Sequence, residues 1–379
     1  MRVALLTNNH LPPREGIGRH VIELAKRLPA HGVEPIVLAK GPSLRGWQRL
    51  EVEGVPVALY PYAPVRPFHQ EAIRLVLQPW VEAGAEGADL LHLHLPLLPR
   101  LRTGLPRVVT FHSPLLADVA AIHEPGLMSA MIKANARLFG QAHEQAQIDG
   151  AAAIVAVSRN VADELTCHYR LGGRRPVVIS NGVDTDFFTR SGNVPRPSRG
   201  PRTILYVGRL GYRKGLSRLL DAAALLRDLP DWRLALAGEG PLESMLRARA
   251  QALGIGGRVE LLGFLDRPAL RDLLHRSAVL VNPADYESGP LTLLEGMAAG
   301  VPVVTTPTGI ARDLGAAPPI VVCEPEPQAL AAAIRSVLDD ASGVARTDAA
   351  RRLVRDHFAW ENVAAKTAAL YRSLARQAA

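Results

Sequence analysis

Apolar positions along this chain alternate between two rhythms. Short runs of β-branched and aliphatic residues are the length of buried strands: RVALLT (2–7), EPIVLAK (34–40), DLLHLH (89–94), PRVVTFH (106–112), AAIVAVS (152–158) and RPVVIS (175–180). Between them lie stretches with apolar residues three and four apart. RHVIELAKRL (19–28) places Val21, Leu24, Ala25 and Leu28 on one helical stripe. A second series runs TILYVG (203–208), helix 216–228, WRLALAG (232–238), a helix near 241–253, VELLGF (259–264), helix 268–276, AVLVNP (278–283), helix 290–299 and VPVVTT (301–306). Alternation of this kind predicts an α/β fold, parallel sheets covered by helices, built twice. Ligands of such sheets bind at the carboxyl ends of strands, so chemistry is expected just after each run.

RSGNVPRPSRGPR (190–202), rich in Pro, Gly, Ser and Arg, reads as a linker between a domain 1–189 and a domain 203–359. In the tail, Trp360, Val363, Thr367, Leu370 and Leu374 fall at helical spacing, so 360–379 reads as a docking helix. A length of 379 residues fits two domains better than one core.

No apolar run approaches the ~20 residues of a membrane span. The opening MRVALLTNN lacks a signal-peptide layout, so the expectation is a cytoplasmic protein. Cys167 and Cys323 are too far apart for a C-x-x-C, against a zinc site or a disulfide framework. A net charge of +8 suits anionic partners: nucleotide phosphates, an anionic membrane face or nucleic acid. Nucleic acid is set aside, because no such motif is present and aromatics are only 5%.

Seven stretches carry candidate chemistry. In EGIGRH, Gly16 and Gly18 follow a strand and open a helix. Position 21 is Val where a dinucleotide fingerprint has its third glycine, and the next strand ends in Ala39-Lys40 without a carboxylate. What remains is a backbone able to approach a phosphate. In LYVGRLGYRKGLSRLL, Arg209, Arg213 and Lys214 gather before a helix that turns Leu216, Leu219, Leu220 and Ala223 inward. Cations there oppose the helix dipole, so an anion such as a diphosphate is the natural companion. In DYESGPLTLLEGMAAGVPVV, Pro290 suits the first helical position after Gly289, and Leu291, Leu294, Met297 and Ala298 are expected inside. Glu287 then lies in the loop that ends strand 278–283 and Glu295 in the helix, each able to accept bonds from vicinal hydroxyls. His92, His94 and His112 fall at strand ends in DLLHLHLP and VVTFHS; for a single histidine so placed a structural role is the commoner one. Asp184-Thr185-Asp186 is a short D-x-D, which could hold a metal between carboxylates and diphosphate. LMSAMIKANARLF (127–139) reads first as a core-facing helix. Its Lys133 and Arg137, with Arg100, Arg102 and Arg107, also suit a peripheral contact with anionic lipid.

Together these blocks resemble the retaining glycosyltransferases of the GT-B fold in the large family four. EGIGRH resembles its N-terminal Gly-Gly loop, DLLHLHLP and TFHS its histidine-bearing strand ends, and VSRNVADEL, VISNGVDTDFF, LYVGRLGYRKG and LAGEGP its further blocks. ESGPLTLLEGMAAGVPVV resembles its E-x7-E motif. The resemblance implies two Rossmann-like, doubly wound domains facing a cleft, with the C-terminal helix 360–379 crossing back to the first. It implies transfer of a hexosyl group from a nucleoside diphosphate sugar, GDP-mannose or a UDP-sugar, to a glycan, lipid-linked or small-molecule acceptor. No metal or other cofactor is expected, and the D-x-D becomes part of the passage between domains. Glu287 would contact the donor sugar and Glu295 the ribose. Arg209 and Lys214 would hold the diphosphate, Gly16 and Gly18 would approach phosphate and acceptor, and His112 would face the reacting sugar. Gly263-Phe264 would meet the base, and Gly289 and Leu291 would line the donor site. The chain departs from the pattern at Gly289-Pro290, at Gly296 and at Gly309-Ile310. Pro290 has no N–H to offer a sugar hydroxyl. An epimerase or phosphorylase on the same architecture, or a non-catalytic nucleotide-sugar-binding protein, would fit the same residues.

Overall fold

The structure is a computed structural model that describes residues 1–13, 16–62, 69–122, 127–189, 201–314, 318–340 and 343–378. Its contacts fall into two units. The first comprises Met1–Ala120, Gly126–Gly182 and Trp360–Ala379, the second Ala121–Pro125 and Val183–Ala359. All of the expected linker up to residue 200 lies outside the described residues, and Arg202 already begins a strand.

The first unit holds an eight-stranded sheet. Its strands are β1 (Arg2–His10), β2 (Glu34–Lys40), β3 (Gln48–Val52), β4 (Val55–Tyr60), β5 (Leu90–Leu95), β6 (Arg107–Phe111), β7 (Ala153–Ala156) and β8 (Val177–Val178). Their order is β3-β4-β2-β1-β5-β6-β7-β8. All neighbours are parallel except β3 and β4. One face of the sheet (Ala4, Leu6, Leu91, Leu93, Val109, Phe111) packs on Ile73 and Leu77 of helix His69–Glu82 and on Val161 and Leu165 of helix Arg159–His168.

The β3–β4 hairpin has no counterpart among the expected elements. Its tight turn puts both Glu53 (φ 51) and Gly54 (φ 82) in the left-handed region, the geometry two-residue hairpins need. Glutamate is a poor sequence signal for that position. Here it is held from outside the hairpin, by Arg19 at 2.6 Å and Lys26 at 3.1 Å. The run 175–180 shrinks to the two-residue β8 at the sheet edge, and the first helix begins three residues earlier than expected, at Gly16.

The second unit holds six parallel strands: β9 (Arg202–Val207), β10 (Trp232–Ala237), β11 (Val259–Gly263), β12 (Val279–Asn282), β13 (Val303–Thr305) and β14 (Val321–Val322). Their order is β11-β10-β9-β12-β13-β14. Successive residues of a strand feed opposite faces. Ile204 and Tyr206 join Leu234, Leu236, Val279 and Val281 under helices Leu216–Ala224 and Pro327–Asp339. Leu205 joins Ala235, Leu280 and Val303 against helices Arg267–Arg276 and Leu291–Ala298. Burial on both faces explains why these strands read as unbroken apolar runs. Among the described residues no helix is long and apolar enough to cross a membrane.

Two surface expectations are corrected. Five large apolar residues of 127–139 are not core-facing: Leu127, Met131, Ile132, Leu138 and Phe139 are exposed. Arg107 is buried and adds nothing to a basic surface, because its guanidinium is folded inward toward the Leu101 carbonyl at 3.4 Å.

Candidate active site

In the second unit the strand order reverses between β9 and β12. The chain runs outward from β9 through β10 to β11, then returns to the other side for β12, β13 and β14. Loops leaving two such neighbours diverge and open a crevice, where doubly wound sheets take their ligands. Those loops are 208–215 and 283–290, and they carry Arg209, Arg213, Lys214 and Glu287.

The two loops are stitched together by backbone. The Asp285 N–H donates to the Arg213 carbonyl at 2.9 Å. Arg218 donates to the Pro283 carbonyl at 3.0 Å and pairs with Asp285. Gly215 sits at φ 61, and a β-carbon there would lie 1.9 Å from the Pro283 oxygen, so no other residue fits. From the other side Gly309, at φ 51, approaches so closely that a β-carbon would lie 2.6 Å from the Glu287 carbonyl oxygen.

This stitching brings together two residues far apart in sequence. Lys214 Nζ donates to Glu287 Oε1 at 2.5 Å, with the side chains 20% and 18% exposed. Burial lowers the Arg213 pKa from the ordinary arginine value, while Glu287 and Tyr286 pull it back. Burial, and then the Glu287 charge, holds the Tyr206 phenol well above its usual pKa; it donates to the Arg209 carbonyl at 2.9 Å. Arg213 and Lys214 thus both lie in the field of the Glu287 carboxylate. Both lie in the short 3₁₀ turn Tyr212–Lys214, ahead of the helix that begins at Leu216. Arg209 is on the same loop, but its side chain is exposed.

The helix after Glu287 begins at Leu291, one residue later than expected. Pro290 has extended ψ (117°) and is the residue flanking the helix, and no side chain caps it. Leu293, rather than Leu291, is buried with Leu294, Met297 and Ala298; Leu291, on the opening turn, is half-buried. Gly289 is buried, and Glu295 is half-buried at the fifth helical position. Gly263 is the last residue of β11, at φ 67, its carbonyl accepting from the Gly238 N–H at 2.8 Å. The next residue, Phe264, is 49% exposed at that strand end, as a stacking platform for a flat base would be.

The first unit also reverses its order, between β1 and β5. Gly16, at the first helical position, is exposed. Gly18 is buried against the chain leaving β1, where a β-carbon would meet Pro13 Cβ at 3.2 Å and the His10 carbonyl at 3.4 Å. Arg14 and Glu15, between them and β1, lie outside the described residues. His112 directly follows β6, as expected, whereas His92 and His94 lie within β5.

All three join His20 in one buried cluster. His94 Nδ1 and His112 Nε2 are 3.1 Å apart, and His20 Nδ1 is 2.9 Å from Asn181 Oδ1. His92 meets the Tyr371 hydroxyl at 2.5 Å and the Thr110 hydroxyl at 2.6 Å, tying helix Trp360–Ala378 to the sheet. Burial lowers every one of these imidazoles: His20 to about 4, His92 to about 3, His94 and His112 well below the ordinary value. The cluster is therefore neutral at ordinary pH. Ring nitrogens of His20, His94 and His112 lie within 4.8 Å of one another, a donor set of transition-metal type. His94 Nε2 is buried without a hydrogen-bond partner.

Known proteins match over nearly the whole chain. The family described as "Glycosyltransferase Family 4" matches residues 14–187, and "Glycosyl transferases group 1" matches residues 190–354. The glycogen synthase of Mycobacterium tuberculosis is 32% identical, over 94% of this chain and 90% of that protein. The chain belongs to the family-four glycosyltransferases of GT-B fold.

Another relative of this glycosyltransferase, the phosphatidyl-myo-inositol mannosyltransferase of M. tuberculosis, is 26% identical over 99% of this chain and 97% of that protein. The solved sucrose-phosphate synthase from Thermosynechococcus elongatus superposes with a TM-score of 0.81 at 22% identity, over 99% of both chains. Anabaena Alr3699/HepE, solved in complex with UDP-glucose, gives 0.70 at 18% identity, over 98% of this chain and 99% of that one. These two show the fold.

The glycosyltransferase uses its D-x-D for structure at Asp184. That carboxylate caps helix Thr185–Phe188 by accepting from the Phe187 N–H at 3.1 Å, and it pairs with Arg267 at 3.4 Å. Sequence reasoning assigned no donor-site role to Tyr206 or Thr308, and named Gly309 only as part of a departure from the family pattern. The Thr308 hydroxyl is buried without a hydrogen-bond partner beside Gly309. Tyr206 reads only as a core position, since its ring is buried among leucines.

Proposed function

We propose that this glycosyltransferase is a retaining hexosyltransferase. It moves a sugar from a nucleoside diphosphate sugar, GDP-mannose or a UDP-sugar, to an acceptor hydroxyl on a glycan, a lipid-linked sugar or a small molecule. The observation that carries the reading is the Lys214–Glu287 pair at the switch point of the second sheet. A cation and a carboxylate that are both partly open to solvent can trade each other for a donor. Lys214 then meets the diphosphate, and Glu287 accepts from sugar hydroxyls. Arg213 and exposed Arg209 add charge on the leaving-group side. Glu295 is assigned to the ribose and Phe264 to the base. Gly289 and Leu291 line the donor site, and Gly16 and Gly18 admit the phosphate and acceptor.

In the reaction the bond from the anomeric carbon to the phosphate oxygen breaks, and its electron pair stays on the diphosphate. The acceptor oxygen bonds to that carbon from the same face, and its proton passes to the departing phosphate. Fixed cations stabilise the charge that develops there. His112, neutral and buried, is assigned to the reacting sugar as a polar contact, not as a charge. No divalent metal takes part in this scheme, a reading supported by the structural use of Asp184.

A thermal-shift screen against UDP-, GDP- and ADP-sugars, followed by transfer assays, tests the proposal. A donor at 100 times its Kd should stabilise the protein by about 2.7 kcal/mol. Absence of any shift, and of any transfer or hydrolysis, would refute it. Binding without turnover would favour a non-catalytic nucleotide-sugar-binding protein.

A further inference from the structure

The helical segment Leu127–Asn135 continues through a π turn, Ala136–Gly140, into helix Gln141–Asp149. Its first half exposes large apolar side chains: Leu127 80%, Leu138 70%, Phe139 65%, Met131 57% and Ile132 40%. Leu127 and Met131 are one turn apart, and Leu138 follows Met131 by seven residues. Ile132 and Phe139, also seven apart, run beside them, so the five form one stripe. Ala136 is buried. Arg137, exposed, and Lys133, half-buried, are one turn apart and lie along one edge of the stripe. No Asp or Glu occurs between Leu127 and His143. The first carboxylate, Glu144, is buried and occupied by the Tyr169 hydroxyl and the Leu115 N–H. Single exposed leucines are ordinary, but a contiguous apolar stripe edged by cations is a contact surface.

We propose that this segment docks on the face of an anionic lipid bilayer, with the apolar stripe at the acyl boundary and Lys133 and Arg137 at the lipid phosphates. Charge selects this occupant. A second copy set on the same stripe would bring the two cations against their own counterparts, with no carboxylate in the segment to meet them. An anionic bilayer offers an apolar layer and phosphates at adjacent depths, the pairing that interfacial helices use. The inference rests on exposure and charge, not on the transfer reaction, and goes beyond the proposed activity.

Co-sedimentation of the whole protein with phosphatidylcholine vesicles, with and without phosphatidylglycerol, tests it. At low salt the protein should favour the anionic vesicles tenfold or more, and lose most of that preference at high salt. Lys133→Gln with Arg137→Gln should cut anionic binding about 25-fold, at about fivefold per basic residue. Leu138→Ser with Phe139→Ser should cut binding at least tenfold while leaving thermal stability unchanged, since both positions are exposed. Equal sedimentation with both vesicle types, or variants that bind like the parent, would overturn the proposal. So would a dimer in light scattering that Leu138→Ser with Phe139→Ser dissociates, which would give the stripe to a second copy. Vesicle binding is read without any donor, so a protein that binds lipid but transfers no sugar would lose the proposed activity and keep this surface.

Discussion

The carboxyl ends of the two sheets carry polar groups of opposite character. In the second unit the groups are charged, partly open and paired with each other: Lys214 with Glu287, Arg218 with Asp285. In the first, His20, His92, His94 and His112 are buried and neutral, and most of their partners are protein groups. An open ion pair costs little to break when a ligand brings replacement partners. A buried neutral network costs much more, because any group left unpaired has no water to turn to. The first arrangement suits a site that empties and fills with each turnover. The second suits an unmoving wall on which one residue, His112, keeps a fixed position.

The largest effect should come from the open pair. Lys214→Ala should lower kcat by about 10²–10³, the loss expected for one charge-stabilising group, with the fold intact. Turnover near that of the parent with every active donor would erase the contrast, leaving Lys214 as a surface charge.

Next come the two glutamates. Glu295→Ala should weaken both free nucleoside diphosphate and sugar donor by about 1.5–3 kcal/mol, the range for a hydrogen bond to a charged group. Glu287→Ala should leave free nucleotide affinity nearly unchanged and depress transfer. Calorimetric titration separates them, and equal weakening by both would refute the division between sugar and ribose.

The neutral cluster makes a prediction about pH. His20 and His92 have folded pKa values near 4 and 3, below the ordinary 6.5 of the unfolded chain. Between those limits the unfolded state binds protons that the folded state refuses. Their contribution is therefore fully present above pH 6.5 and falls away as pH drops toward 4 and then 3. Glu144 works the other way. Burial raises its pKa to about 7, so its contribution is present below about 4.5 and fades as pH rises through 7. Urea melts between pH 7.5 and 4 should show stability falling on the acid side. Tyr371→Phe, which strips His92 of one partner, should cost about 1–2 kcal/mol at neutral pH.

The smallest effect expected is none: EDTA should leave transfer unchanged. Loss of activity rescued by Mn²⁺ or Mg²⁺ would return Asp184 and Asp186 to the metal. Rescue by Zn²⁺ alone would point instead to His20, His94 and His112.

The sheets were legible because strands buried on both faces leave long apolar runs, and the glycosyltransferase family was legible from the order of its motifs. Hairpin β3–β4 was not, since its turn depends on Arg19 and Lys26, outside the hairpin itself. The site was readable as residue types after strands, and Glu287 and Lys214 were chosen that way. Their pairing across 73 positions was not readable, because Gly215 and Gly309 set it through backbone approaches. The exposure of Leu127, Leu138 and Phe139 was misjudged for a related reason. Helical spacing gives the stripe but not which way it turns.

Helix Trp360–Ala378 belongs to the first unit, with Tyr371 against His92 and Trp360 against His20. During synthesis the first unit therefore waits. Its sheet leaves the ribosome early, but the side chain that satisfies His92 follows only after the whole second unit, about 10–35 s later at about 5–20 residues per second. The second unit is almost contiguous in sequence and has no such delay. A chain released before residue 360 should thus have a finished second unit and a first unit whose histidine wall is still open to water, the stage at which a chaperone would have most to hold.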